Sequence, residues 1–233
     1  MRTTLTAISF ALLLQALPAN AGTIFVDTGH SRGQWGSKAS DGTPEYVINR
    51  NMSVQVIEAL RLRGHEVVDV GASSRDISLR NRVKDTAGAD LFLSIHHDSI
   101  QPQLMKAGRA PEFAGFSVFI SGKSQKLKGS LRCAVHVGDA MVAAGERPSK
   151  YHAAPIRGEQ KQLLDDRRGI HRYDDLVVLK HAQSPAILLE VGVIVNPLEL
   201  SKLTDPNWIG RTAVMIAEGV ERCIPSPTSR LKD

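Results

Sequence analysis

Apolar positions along the chain fall into two patterns, short continuous runs and longer amphipathic stretches. Short apolar runs predict strands at residues 23–27, 66–70, 90–95, 116–120 and 186–191. Apolar residues that recur every three or four positions predict helices at residues 44–63, 76–88, 130–144 and 207–222. Strands that alternate with helices are typical of an α/β sheet. We therefore predict a single three-layer α/β domain, with a mixed, mostly parallel sheet and helices on both faces.

The first 21 residues differ from the rest of the chain. Met1 and Arg2 precede an uncharged, mostly apolar run at residues 4–17, and Ala19-Asn20-Ala21 matches an A-x-A cleavage site. This pattern is typical of a secretory signal peptide. The alternatives are a buried N-terminal helix and a short membrane anchor, although the run is too short to span a bilayer. We predict an exported, periplasmic or extracellular protein without a transmembrane segment, divided into a signal peptide at 1–21, a folded domain at 22–224 and a tail at 225–233.

Composition and charge narrow the class of protein. The chain has 233 residues, of which 42% are hydrophobic, and this content excludes an intrinsically disordered chain. The net charge is +5, but the Lys and Arg residues are dispersed, so a nucleic-acid partner is not expected. A basic exported protein could meet an anionic polymer such as a cell wall, although a solvated surface is the simpler interpretation.

The chain has only two cysteines, which excludes a disulfide-rich scaffold. Cys133 and Cys223 lie on separate predicted helices. They could pair after export or stay reduced, and the sequence supplies no geometry that decides between the two. We favour two buried, free thiols.

Metal-competent side chains follow the predicted strands. His30 comes after the first strand, His96 ends the third, and Glu190 ends a late apolar strand. The carboxyl ends of strands are where open α/β sheets place their sites. Glu45 opens the first helix, and its spacing from the apolar residues at 48 and 52 turns it toward the sheet.

Together, His30, Glu45 and His96 form a His₂Glu set, which is the ligand pattern of a catalytic zinc site with one open position. Glu190 then becomes the candidate general base for an attacking water. Taken singly, each residue has a simpler role. A His after a strand is usually a hydrogen-bonded loop residue, and a Glu at the start of a helix usually interacts with the positive end of the helix dipole. The residues alone leave both interpretations open.

The same segments resemble the zinc-dependent N-acetylmuramoyl-L-alanine amidases of the Amidase_3 type. The likeness covers residues 23–222 and rests on four motifs in the family's order. Shorter stretches also match, namely Arg75-Asp76 with Leu79 and Arg82, Arg168-Gly169-Ile170, and Val178-Leu179. The four motifs read Asp27-Thr28-Gly29-His30, Glu45, Ser94-Ile95-His96-His97-Asp98, and Leu188-Leu189-Glu190-Val191-Gly192 continuing to Asn196-Pro197.

The resemblance implies an exported enzyme that hydrolyses the amide between the lactyl group of N-acetylmuramic acid and L-alanine of the stem peptide. His30, Glu45 and His96 would bind one zinc ion per chain, and Glu190 would be the general base. The implied partner is peptidoglycan or a soluble muropeptide. Two other functions remain open, a non-catalytic wall-binding module and a zinc peptidase that acts within the stem peptide.

Several positions depart from the family's pattern. Thr28 replaces a proline, and Ser31-Arg32 replaces a glycine pair, so that Arg32 either contacts a substrate carboxylate or, as we favour, is solvated. His97 stands where the family has alanine. Because neighbouring strand residues point to opposite faces, we expect only one of His96 and His97 to reach the metal, and by the motif it is His96.

Two intervals bear on regulation. Some relatives carry a long inserted helix that covers the zinc until an activator releases it, but here only about ten residues, 121–130, occupy that place. An activator protein is therefore possible but not indicated. The additional segment of this chain is 147–166, which could be a lid, a substrate-binding excursion or a passive loop.

Overall fold

The structure, a computed structural model, describes residues 21–73 and 76–224. The predicted signal peptide, apart from Ala21, and the predicted tail at 225–233 lie outside these residues. The strands are β1 Thr23–Thr28, β2 Glu66–Asp69, β3 Leu91–Asp98, β4 Ser117–Ile120, β5 Gln162–Asp165, β6 Ile170–Arg172 and β7 Ala186–Val193. The α-helices are α1 Glu45–Leu62, α2 Pro102–Lys106, α3 Leu127–Ala143, α4 Val177–His181, α5 Pro197–Leu203 and α6 Pro206–Cys223.

The strands of the described residues form one sheet in the order β2-β1-β3-β7-β4-β6-β5. The pairs β1–β2, β1–β3, β3–β7 and β4–β6 are parallel, whereas β4–β7 and β5–β6 are antiparallel. The predicted fold class, a mixed but mostly parallel α/β sheet, is confirmed. Because β1, β3 and β7 are parallel neighbours, their carboxyl ends meet at one edge.

The long helices α1, α3 and α6 cover one face of the sheet. Alternate residues of β7, Ile187, Leu189 and Val191, are buried beneath them in the main core. This burial follows from the strand pleat, which sends every second side chain to the same face. Each long helix keeps an exposed side, and none in the described part of the chain is long and apolar enough to cross a membrane.

The opposite face carries a smaller core and thinner cover. Phe92 and Leu188 pack there against α4. The prediction of a helix at 76–88 is wrong, because this stretch forms a series of turns. Ser78 Oγ accepts the amide of Asn81, a local bond that competes with helix formation. Val83 is buried as expected, but Leu79 is 52% exposed.

Five short elements were not predicted from the sequence, because each is too short to show a periodic pattern of apolar residues. These elements are α2, α4, α5, β5 and β6. The 147–166 segment contains a 3-10 turn at Tyr151–Ala153 and the edge strand β5, so part of it extends the sheet. Pro197 opens α5 behind Asn196, whose side chain caps the amide of Leu198.

The expectation of two free thiols is wrong, because Cys133 of α3 and Cys223 of α6 form a disulfide. The two helices run side by side, and Gly219 makes the approach possible. A Cβ added at Gly219 would lie 2.8 Å from the Cα atom of Val137. This contact between distant helices has no local sequence pattern, which is why the pairing was not predictable from spacing.

Removing this disulfide should lower stability without touching the site. We expect Cys133→Ala with Cys223→Ala to lower the free energy of unfolding by about 2–4 kcal/mol, because the bond closes a long loop. Urea denaturation of the native and double-variant proteins measures the difference. Equal midpoints under non-reducing conditions would show that the bond contributes nothing.

Candidate metal centre and active site

Three side chains converge where β1 and β3 end and α1 begins. The candidate ligand atoms of His30, Glu45 and His96 all lie within 4.8 Å of one another. His30 Nε2 is 3.1 Å from Glu45 Oε2, and His96 Nδ1 is 3.1 Å from Glu45 Oε1. One carboxylate therefore lies between two imidazoles.

The electrostatics of this cluster favour an ionised carboxylate. Burial alone would raise the pKa of Glu45, but hydrogen bonds and charges from His30 and His96 lower it overall. A carboxylate and two imidazole nitrogens are ligands that zinc accepts. The donor set and its close spacing thus fit a divalent metal ion.

Two glycines make this proximity possible. A Cβ at Gly29 would lie 2.5 Å from the His96 ring, and one at Gly36 would lie 2.5 Å from both Glu45 Oε2 and His30. Gly36 also has a φ of 77°, a region that glycine adopts without steric cost. His30 itself has a φ of 65°, a left-handed conformation that carries a steric cost for a residue with a Cβ and that the surrounding contacts must hold.

A buried ion pair holds the turn that carries His30. Arg82 Nη1 donates to Asp27 Oδ1 at 2.6 Å and to the carbonyl of Thr28 at 2.7 Å, and its Nη2 donates to the carbonyl of His30 at 2.6 Å. Ser94 donates its hydroxyl to the other oxygen of Asp27. Arg82 therefore ties the end of β1 to the strained backbone of His30.

Asn49 plays the corresponding part for Glu45. Its amide nitrogen donates to Glu45 Oε1 at 3.1 Å and to the carbonyl of Gly29 at 3.2 Å. Its Oδ1 accepts from His97 Nδ1 at 2.8 Å, so His97 carries its proton on that nitrogen. Burial lowers the pKa of His97 to about 3, and the ring stays neutral. His97 thus packs beneath the cluster while His96 belongs to it.

Glu190 lies on β7, in register with His96 on β3. Its Oε2 is buried and has no hydrogen-bond partner in the described part of the chain. Burial raises the pKa of Glu190 well above its usual value, and the nearby charges of Asp98 and Glu45 raise it further. An unpartnered carboxyl oxygen with a raised pKa is suited to exchange a proton with a bound water or substrate.

A second cluster connects the 147–166 segment to the end of β3. His152 Nε2 is 2.7 Å from Asp98 Oδ2, and its Nδ1 is 2.9 Å from Glu159 Oε2. Burial alone would lower the pKa of His152, but these hydrogen bonds and the charges of Asp98 and Glu190 raise it to about 10. Gln101 adds a bond to the carbonyl of Arg157 at 2.8 Å. The segment is therefore fastened beside the site.

This His152 cluster gives a pH-dependent prediction. Because the folded pKa of His152 exceeds its unfolded value of about 6.5, its contribution is complete below that pH and is lost as the pH rises toward 10. We expect trypsin cleavage after the exposed Arg157 to accelerate across that range. His152→Gln should raise the cleavage rate on the order of tenfold at pH 7 and remove most of the pH dependence. Equal rates for both proteins at pH 7 would mean that the cluster does not fasten the segment.

The structure places the four candidate residues at one edge of the sheet, with His30, Glu45 and His96 in mutual contact and Glu190 on the adjoining strand. Sequence reasoning assigned no role to Asn49, Asp98 or Arg82, and offered His152, within the 147–166 segment, only as a candidate for substrate contact. Arg82 carried a signal, since it stands in a stretch that resembles the family. Asn49 lies four residues after Glu45 on α1, but its contact with His97 and the contact of His152 with Asp98 cross 48 and 54 residues of chain.

The fold and the site together define a class, the α/β enzymes whose active site lies at the carboxyl edge of a mostly parallel sheet. The chain belongs to the N-acetylmuramoyl-L-alanine amidase family, Amidase_3, whose family model matches residues 24–222. Its activity is accordingly that of a peptidoglycan amidase.

Individual relatives agree with this assignment. The chain is 24% identical over 223 residues to the germination-specific N-acetylmuramoyl-L-alanine amidase of Bacillus subtilis, covering 89% of this chain and 81% of that protein. An N-acetylmuramyl-L-alanine amidase from Mycobacterium smegmatis has the same fold, with a TM-score of 0.72 at 20% identity over 88% of this chain and 98% of that one. The CwlD amidase of Clostridioides difficile, solved in complex with the GerS lipoprotein, gives a TM-score of 0.64 at 19% identity, over 87% and 98% of the two chains.

Proposed function

We propose that this protein is an exported zinc hydrolase that cleaves the amide between the lactyl group of N-acetylmuramic acid and L-alanine of the stem peptide. The domain at 22–224 is catalytic, preceded by a signal peptide at 1–21 and followed by a tail at 225–233. The observation that carries the proposal is the contact between Glu45 and both His30 and His96, with the partnerless Glu190 oxygen on the next strand.

His30, Glu45 and His96 would hold one zinc ion. Support for this comes from the spacing of the three donor atoms and from the ionised state of Glu45. Zinc bound there would polarise the scissile carbonyl and stabilise the negative charge that develops on its oxygen. Asn49 and Arg82 act through other residues, since Asn49 orients the Glu45 carboxylate and Arg82 fixes the backbone of His30.

Glu190 performs the proton transfer. Its carboxylate accepts a proton from the attacking water and then delivers that proton to the departing amide nitrogen. Glu190→Gln is therefore the variant that separates chemistry from binding. The raised pKa of Glu190 suits the second step, because a buried carboxyl group holds a transferred proton more firmly than a solvated one until the leaving nitrogen takes it.

Export has two independent supports. The N-terminal pattern at 1–21 is typical of a secretory signal peptide. The disulfide between Cys133 and Cys223 belongs to an oxidising compartment, since such bonds are rare in the cytosol. Peptidoglycan or its muropeptides would be the substrate in that compartment. An activator partner is possible by analogy with the CwlD–GerS complex, although the short 121–130 interval leaves no room for a covering helix.

Product analysis tests the proposal. The purified protein is incubated with muropeptides, and the products are separated by mass and sequenced from their amino termini. We expect free stem peptides that begin with L-alanine, together with peptide-free N-acetylmuramic acid. Cleavage only between stem-peptide residues would instead indicate a peptidase. Wall binding without any cleavage product would indicate a non-catalytic module.

A further inference from the structure

A cavity of about 440 Å³ lies beside the metal-competent cluster, on the outer side of the first turns of α1. The proposed function assigns it no role. We call it the Trp35 cavity, and its lining includes Arg32, Trp35, Tyr46, Val47, Arg50 and Ala72.

The loop at residues 31–37 forms both this cavity and part of the cluster. The amide of Ser37 donates to Glu45 Oε2 at 3.0 Å, and the amide of Tyr46 donates to the carbonyl of Trp35 at 3.0 Å. Asp76 anchors the far side of the loop by accepting from Ser31 Oγ and from the amide of Gly33. A group bound in the Trp35 cavity would therefore be separated from the metal-competent cluster only by the loop at residues 31–37.

The indole of Trp35 is ordered but remains accessible. Its Nε1 donates to the carbonyl of Arg32, and the ammonium of Lys38 lies 5.9 Å from its ring centroid. Even so, 52% of the residue is exposed. A large aromatic ring that is held in place yet open to solvent suits contact with a ligand.

The charge around the cavity is positive. Arg50 is neutralised by Asp69, whose carboxylate it contacts at 2.8 Å. Arg32 and Lys38 are exposed and form no ion pair with any residue in the described ranges. A guanidinium without a partner matches a carboxylate, which it can bind through two parallel hydrogen bonds.

We propose that the Trp35 cavity is a subsite for the peptide part of the substrate, in which Arg32 binds a peptide carboxylate and the Trp35 ring packs along the peptide. This inference rests on the proposed function. A carboxylate is favoured over a neutral sugar because the guanidinium of Arg32 lines this cavity without an ion-pair partner among the described residues, and the ammonium of Lys38 lies 5.9 Å from the centroid of the Trp35 ring. A second cavity, of about 240 Å³, borders His30 and His96. The rest of its lining is largely apolar, and its guanidinium, Arg82, is already paired with Asp27.

The test uses binding to the Glu190→Gln protein, so that no ligand is consumed. The probes are N-acetylmuramoyl-L-alanyl-D-glutamate and the same compound with its peptide carboxylates converted to carboxamides. Calorimetry gives the affinities, and tryptophan fluorescence reports the position, because Trp35 and the buried Trp208 are the only two tryptophans. Binding should change the fluorescence, and Trp35→Phe should remove that change.

Arg32→Gln should weaken binding of the acidic probe by about tenfold to a hundredfold, while binding of the carboxamide probe changes little. The matched control is Arg211→Gln, an exposed arginine of α6, which should leave both affinities unchanged. An equal loss of affinity for both probes, or no loss for either, would overturn the proposed subsite. The proposed function would still stand if the native protein cleaves muropeptides. Absence of both binding and native cleavage would reject the two proposals together.

Discussion

Glu190→Gln is expected to lower kcat by about a hundredfold to ten-thousandfold while leaving the metal in place. The carboxamide has nearly the same size as the carboxylate but can neither accept the proton of the attacking water nor deliver it to the leaving nitrogen. Glu190 does not belong to the cluster of His30, Glu45 and His96, so metal binding should persist. Steady-state hydrolysis of a soluble muropeptide measures the change.

The control for this variant is Glu58→Gln, which removes an exposed carboxylate of α1 far from the strand ends. It should retain native activity. A Glu190→Gln protein with native kcat would remove Glu190 from the chemistry. Loss of both metal and activity would instead make Glu190 part of the metal site.

Arg82→Met should produce the largest loss of stability, lowering the free energy of unfolding by about 3–5 kcal/mol. Methionine fills a similar volume but leaves the Asp27 carboxylate, which is only 1% exposed, without its cation. The carbonyls of Thr28 and His30 lose their donor as well. Because the His30 backbone is strained, its release should also weaken metal binding.

Denaturant unfolding of Arg82→Met and of Arg109→Met compares the stability contribution of the buried Arg82–Asp27 ion pair with that of an exposed ion pair. Arg109 pairs with Glu112 on the surface, where solvent screens the interaction, so its replacement should change stability little. Adding Asp27→Asn to Arg82→Met should restore part of the loss, since the buried charge is then gone. Equal effects of the two arginine variants would contradict the structural role of Arg82.

Much of the site could be predicted from the sequence because its residues lie at or near the ends of regular elements, with His96 and Glu190 two and three residues before the last residues of β3 and β7. The helical spacing of Glu45 from Ile48 and Met52 placed its carboxylate toward the sheet, and all three residues are buried. The apolar runs of β1, β3 and β7 located these strands in the sequence and so identified the polar residues at their carboxyl ends. The alternation of strands with helices predicts parallel pairing, and parallel pairing brings those carboxyl ends together.

What could not be predicted depends on contacts between distant parts of the chain. The apolar spacing of Ile77, Leu79 and Val83 resembled a helix, but Arg82 reaches into the end of β1 and Asp76 holds the His30 loop. The disulfide requires the close approach of α3 and α6 at Gly219. His152 needed a partner 54 residues away, Asp98, before any role for the 147–166 segment could be stated.

The central claim is that His30, Glu45 and His96 form a zinc site, and elemental analysis of purified protein tests it most directly. We measure zinc per chain in the native protein, in His96→Ala and in His181→Ala, which removes a surface histidine of α4 outside the cluster. The account predicts one zinc per chain in the native and His181→Ala proteins and none in His96→Ala, with folding checked by circular dichroism. A native protein that binds no metal, or a His96→Ala protein that keeps a full zinc ion, would contradict it.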